Sequence, residues 1–434
     1  MIHKITLFVA SLLFTATIFA SPQIQHWETS NGARVYFVAA PELPMLDISV
    51  VFDGGAARDG ALPGTALLTS AILNEGAGDL DTDQIAAKFA GIGAKFGASA
   101  ERDMALVSLR TLTAEPVLET ALATFTTVLT EPTFPQDSFE RLKKQVLIGL
   151  LAEKQSPAAL ASRAFYKNLF NEHPYSTMPS GEESSVTNIT LDDLKAFYQQ
   201  YYVTKNAVIV LVGDIEVDKA KAIAEQAVAG LNEGEAAKEI KPVMVLEKAV
   251  TKKIEHPSSQ THILMGQPGI NRTDPDYFAL YVGNHILGGS GLVSILSNEI
   301  REKRGLSYSV YSYFRPMRQL GPYQFGLQTR NEQAAEALEV MRNTLIDFIK
   351  DGPTEDELNA AKQNITGGFA LRVDSNSKIA NYLAMIGFYD LPLDYLDTFK
   401  DEVNSITTMQ IKEAFARRIQ PEKMLTVMVG GEAQ

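Results

Sequence analysis

"PQDSFERLKKQ", Pro135–Gln145, and "PTEDELNAAKQ", Pro353–Gln363, lie 218 positions apart, and in each a proline opens a helical segment that closes on Lys-Gln. Proline is suited to a first helical turn, where its missing N–H has no partner to lose. Further on, "AVIVLVGD", ending at Asp214, and "MLTVMVGG", ending at Gly431, are two buried-type strands at an offset of 217. Two anchors that share nearly one offset imply a duplicated domain of roughly 200 residues.

Each half reads as a mixed unit. In the first, "ARVYFVA" and "LDISVVFD" have strand length and strand composition, and "GAKFGASAE" with "MALVSLRTL" predicts a hairpin turning through Glu101 to Asp103. Helical periodicity follows over Glu115–Leu129, Ser138–Ala152, Ala159–Phe170 and Leu191–Tyr202, and the strand Ala207–Val212 closes the half. The second half offers "THILMGQ", helices over Tyr277–Leu287 and Leu292–Lys303, and strands "LSYSVYSYF" and "GPYQFGLQT". Four or five helices then precede "MLTVMVG". Strands grouped early and helices grouped late predict an α+β fold of two homologous domains, each a mostly antiparallel sheet packed with several helices. The expected layout is a signal peptide over 1–20, a first domain over 21–230, a charged, weakly periodic linker over 231–250 and a second domain over 251–434.

The signal is read from "MIHKITLFVASLLFTATIFA": Lys4, an apolar run from Ile5 to Phe19, and a small residue at Ala20. The run is short for a bilayer span, so export to a bacterial periplasm is expected, with no membrane association of the mature chain. The 434 residues contain no Cys, which removes disulfides, thiolate zinc sites, cysteine nucleophiles and a lipoprotein anchor together. A formal charge of −13 repels phosphate backbones and argues against nucleic acid as a partner.

"LGGSGLVSILSNEIREKRGLSYSVYS", Leu287–Ser312, closely resembles the C-terminal domain of the pitrilysin/insulinase family of zinc peptidases, which includes the mitochondrial processing peptidases. "NEHPYS", Asn171–Ser176, and "LKAFYQQYYVTKNAVIVLVGDI", Leu194–Ile215, are similar to its N-terminal domain, and the resemblance spans nearly all of residues 25 to 431. Active members carry H-x-x-E-H on a helix of the first domain and a glutamate on a later helix. Histidines at i and i+4 share a helical face, where two imidazoles reach one Zn²⁺, and the glutamate between them serves as base for the bound water. In this chain the helix "GTALLTSAIL" takes that place. The resemblance puts the histidine positions on Leu67 and Ala71, the base on Ser70 and the third ligand on Gly149. None of the four ligates zinc or acts as its base.

The histidines beyond the signal, His26, His173, His256, His262 and His285, include no pair at helical ligand spacing. His256 and His262 are separated by Pro257, His173 is expected to support the turn before Pro174, and His285 to cap or pack inside a helix. No G-x-S-x-G elbow and no phosphate-loop motif occurs. Gly288-Gly289-Ser290-Gly291 reads either as a flexible turn between helices or as a substrate-facing loop.

Two residues keep the family pattern. In active relatives an arginine at the end of a second-domain helix and a tyrosine seven residues later lean over the zinc site, and Arg301 and Tyr308 match that spacing. A guanidinium holds carbonyls in a fixed fork, and a phenol donates a hydrogen bond to a developing oxyanion. The bland alternative is a snorkelling Arg301 and a Tyr308 packed in a strand. Lys303 and Arg304 read as solvated charges, and Gly305 as the residue that turns the chain out of the helix. The resemblance implies a substrate-binding, non-catalytic subunit without a cofactor of its own. Its partner would be a homologous zinc-bearing peptidase subunit, and its substrate a peptide or unfolded protein. The alternative is a stand-alone scaffold or peptide-binding pseudoenzyme.

Overall fold

The computed structural model describes residues 22–431, so the expected signal peptide lies outside the described residues. In the first half, β1 (Gln25–Glu28), β2 (Arg34–Ala39) and β3 (Met45–Phe52) lead to helix α1 (Thr65–Ile72). A small hairpin, β4 (Gly76–Ala77) and β5 (Leu80–Asp81), precedes α2 (Thr82–Gly91) and the hairpin of β6 (Lys95–Ala100) and β7 (Ala105–Leu112). Helices α3 (Glu115–Thr130), α4 (Gln136–Glu153), α5 (Pro157–Phe170), α6 (Glu183–Asn188) and α7 (Leu191–Tyr201) follow, then β8 (Ala207–Gly213) and α8 (Val217–Ala227). The second half has β9 (Val250–Ile254), β10 (Gln260–Pro268), α9 (Tyr277–Asn284), β11 (Val310–Phe314) and β12 (Pro322–Arg330). It ends with α10 (Ala334–Asp351), α11 (Glu355–Gly367), α12 (Asn376–Phe388), α13 (Tyr395–Ser405), α14 (Thr408–Arg418) and β13 (Leu425–Val429).

The sheet orders are β1-β2-β8-β3-β7-β6 and β9-β13-β10-β12-β11. Apart from β1 they match strand for strand, and each sheet has one parallel pair, β2 with β8 and β9 with β13. The fold is α+β with mostly antiparallel sheets, as the sequence predicts.

Local chemistry explains the element ends. Asp81, Thr190, Thr354 and Thr407 each close a reciprocal capping box at a helix start. The strands are apolar on both faces because both faces are covered. Val35 and Phe37 point into the first half's own helical layer, while Tyr36 and Val38 join a cluster with Leu383 and Ile386 of α12. The halves thus exchange a helix: α12 lies on β2, β3 and β8, and α5 lies on β10 and β13. Phe165 of α5, fully buried, packs with Leu264 and Val427, a burial that stabilises by about 1.5–3 kcal/mol. On α12, a Cβ at Gly387 would stand 2.6 Å from Val208 Cγ1 and 2.7 Å from a Tyr36 ring carbon, so the helix seats this low only with glycine there.

Between the halves lies a buried polar knot. Asp103, at the tip of the β6–β7 hairpin and 3% exposed, accepts from Tyr175 Oη at 2.6 Å, Tyr389 Oη at 3.0 Å and the Arg318 amide at 2.8 Å. The Gln319 amide donates to Tyr175 Oη at 3.1 Å, and Arg318 reaches Asp53 at 3.4 Å and the Phe388 carbonyl at 2.8 Å. Burial and the Asp103 charge push the Tyr175 and Tyr389 hydroxyls far above their ordinary range, so they stay donors.

Several local expectations change. Residues 231–247 carry no regular element, yet Ile240 and Val243 are buried against the second sheet beside Leu425 and Val427, and the strand β9 starts at Val250. The Tyr277–Leu287 helix ends in a π-helical turn over His285–Gly289, and Leu292–Lys303 divides into a 3₁₀ turn at Gly291–Val293 and a π-helical turn at Ser297–Glu302. The strand expected from Leu306 starts at Val310, because the Ser307 hydroxyl bonds the Ser309 and Gln328 carbonyls and Thr329 takes the Leu306 carbonyl. Tyr308 therefore falls outside the strand.

Candidate functional site

Helix α1 is fixed at its start by Asp59, whose carboxylate accepts from the Gly64 and Ala66 amides, both at 2.7 Å. Burial dominates over those two bonds and raises the Asp59 pKa to about 7. Leu68 and Ile72 enter a core with Phe139, Leu150, Val186 and Leu194. Leu67 and Ala71, one turn apart, share a half-buried face about 100° round the helix from Leu68 and Ile72.

Ser70 is 1% exposed, and its hydroxyl shares a 3.0 Å hydrogen bond with Tyr202 Oη. Burial lifts the Tyr202 phenol to about 12. Gly149 is exposed on α4, with no atom within 4 Å of where a Cβ would stand, and its neighbours Ile148 and Leu151 are exposed apolar side chains. These residues do not fit a metal: an alkyl chain, a methyl, a committed hydroxyl and a hydrogen offer no donor set. Among the described residues no group of three or more His, Asp or Glu is placed to hold a metal ion. Other histidines do structural work. His173 Nδ1 accepts from the Tyr175 amide at 3.1 Å and Nε2 meets the Lys241 carbonyl at 2.8 Å, which pins the turn before Pro174 to the inter-half segment.

Arg301 and Tyr308 flank Gly305, whose φ of 61° turns the chain out of the π-helical segment. π-Helical turns are rare and concentrate at functional sites, and two of them occur within this stretch. Arg301 is 34% exposed at its side chain, 3.5 Å from Glu302. Tyr308 is 89% exposed and makes no hydrogen bond or ion pair among the described residues. A phenol held in full solvent without a partner is not packed in a strand. Lys303 and Arg304 are exposed but paired, both to Glu299, at 2.6 and 2.8 Å.

Helix α1 packs on α4, α7, β6 and β7. Among the described residues neither Arg301 nor Tyr308 makes a hydrogen bond or ion pair to any of these elements. The inter-half knot at Asp103 is invisible to motif reading; the one signal was its place at the hairpin tip.

The insulinase (peptidase family M16) profile matches residues 34–179, and the peptidase M16 inactive domain profile matches residues 188–365. The crystal structure of a peptidase M16 inactive domain from Pseudomonas fluorescens is 44% identical, with a TM-score of 0.92 over 94% of this chain and 98% of that one. A Helicobacter pylori protein named non-peptidase homolog YmxG is 29% identical over 86% of this chain and 85% of its own length. The mitochondrial-processing peptidase subunit beta of Lentinula edodes is 22% identical over 85% and 81%.

Proposed function

This chain belongs to the M16 (insulinase) peptidase family, and from that premise we propose that it is the non-catalytic, substrate-binding subunit of an exported heterodimeric metallopeptidase. The observation that carries this reading is a mismatch within one chain. Leu67, Ser70, Ala71 and Gly149 supply no zinc chemistry, whereas Arg301 and the solvent-exposed Tyr308 are kept with side chains able to hold a substrate. In this proposal a homologous partner holds Zn²⁺ and activates the water. Arg301 fixes the peptide carbonyl and Tyr308 donates to the oxyanion as charge develops. A related chain is named as one subunit of the mitochondrial-processing peptidase, which supports assembly as the family's way of working. The apolar terminal run around Ile5–Phe19 supports export to the periplasm.

The test is to purify the mature chain alone and with a zinc-bearing homologue encoded beside it, then measure complex mass, zinc content and peptide cleavage. Expected results are a one-to-one complex, zinc in the partner alone, and cleavage only by the mixture. Arg301→Ala or Tyr308→Phe is expected to lower kcat/KM by roughly 10²–10³ without changing complex mass. One zinc per lone chain, or unaltered cleavage by both variants, sinks the proposal. A chain that binds peptide but never forms a cleaving complex is instead the stand-alone scaffold.

A further inference from the structure

The duplication places a second cavity where the second half repeats the surroundings of α1. Leu67 and Ala71 sit half-buried between buried neighbours, and the same burial rhythm recurs 214 residues on, at Tyr281 and His285. Here the position is not empty. A cavity of about 560 Å³ opens between α9, β11 and the turn after α11, lined among others by Arg272, Tyr281, His285, Tyr311, Tyr313 and Arg372. No aspartate or glutamate lines it.

Neither guanidinium has an ion-pair partner, although Arg272 lies over the Tyr277 and Tyr389 rings, 5.8 and 5.4 Å from their centroids. Arg372 Nη1 donates to Tyr281 Oη at 2.8 Å, and Arg272 Nη1 reaches Tyr277 Oη only at 3.4 Å. Arg272 Nε is buried without a partner. Among the described residues Arg102, Arg272, Arg342 and Arg372 are the arginines without an ion pair, and two of these four line this one cavity. Arg315 at the rim is 3.2 Å from Glu101. In a chain of formal charge −13, two half-buried guanidinium groups on one cavity wall without a carboxylate partner keep donors that an anion can complete.

We propose that this cavity binds the α-carboxylate of a peptide whose C-terminal side chain is apolar. Unspent N–H donors on Arg272 and Arg372 match a planar carboxylate, and the rings of Tyr281, Tyr311 and Tyr313 form the wall for the terminal side chain. The volume exceeds that of a lone ion. The proposal rests on the peptide-binding reading above and gives that reading a direction: the chain end enters the second half.

The experiment uses the full mature chain with two probes, N-acetyl-leucine and an N-terminally labelled hexapeptide ending in leucine, as free acid or amide. N-acetyl-leucine is expected to raise Tm, and the acid peptide to bind at least tenfold tighter than the amide. Arg372→Gln and Arg272→Gln are expected to abolish that ratio, with Arg372→Lys restoring part of it; unchanged circular dichroism shows that the variants are folded. Equal binding of acid and amide, or a ratio that survives both Gln variants, overturns the carboxylate site while leaving peptide binding standing. Displacement of N-acetyl-leucine by equimolar inorganic phosphate assigns the cavity to phosphate and overturns the proposal. No peptide binding with an intact N-acetyl-leucine response overturns the peptide-binding reading and the chain-end direction, and leaves a carboxylate site.

Discussion

Asp59 illustrates how one residue at the head of α1 couples position to pH. Its folded pKa, about 7, lies above the ordinary carboxylate value, so the native state holds the proton more tightly than the unfolded chain. Its contribution to stability is therefore complete below about pH 4 and lost as pH rises through 7. Urea unfolding across pH 4 to 7 is expected to show wild type losing stability relative to Asp59→Asn as pH rises, against the opposite trend that His173, His262 and His285, lowered by burial, give to both proteins. Equal slopes refute it. The emptiness of Leu67, Ser70 and Ala71 was legible through the family resemblance, which places the zinc ligands and base on them; taken alone the helix is an ordinary amphipathic one. The Ser70–Tyr202 bond was not, since the two stand 132 positions apart and meet only when α1 packs on α7.

At the scale of elements, periodicity served well where burial is regular. The amphipathic helices and the β6–β7 hairpin lie where the pattern placed them. It failed between His285 and Val310, where a π-helical turn ends one helix, a 3₁₀ turn and a second π-helical turn replace the next, and the strand that follows is shortened. Backbone carbonyls there are taken by Ser307 and Thr329 side chains, a tertiary event without a periodic signature. The exchanged helices were also hidden, although their trace is present: β2 is apolar on both faces, as only a strand covered twice can be. Gly387 tests that exchange. Gly387→Leu forces atoms into Val208 and Tyr36 and is expected to cost about 1–3 kcal/mol, read as a lower urea midpoint. An unchanged midpoint means α12 does not seat on β2 and β8 as described.

For the whole molecule, the Asp103 knot ties residues of both halves to one carboxylate. Asp103→Asn leaves a tyrosine hydroxyl or the Arg318 amide facing an amide nitrogen, and is expected to cost about 2 kcal/mol, since hydrogen bonds to a buried charge are worth roughly 1.5–3 kcal/mol. A double-mutant cycle of Tyr175→Phe with Tyr389→Phe is expected to give a coupling of at least about 0.5 kcal/mol, because both donate to one carboxylate. Additive losses sink the shared knot. The sequence by itself determined the duplication, the α+β class and the family, because each is carried by residue type and spacing along the chain, and the family resemblance in turn implied the missing zinc ligands. Tertiary structure alone decided that the halves trade helices, that Asp103 ties them, that Tyr308 stands free in solvent, and that Arg272 and Arg372 share a cavity without a carboxylate. These depend on which distant residues meet when both faces of each sheet are covered, and no local pattern encodes that.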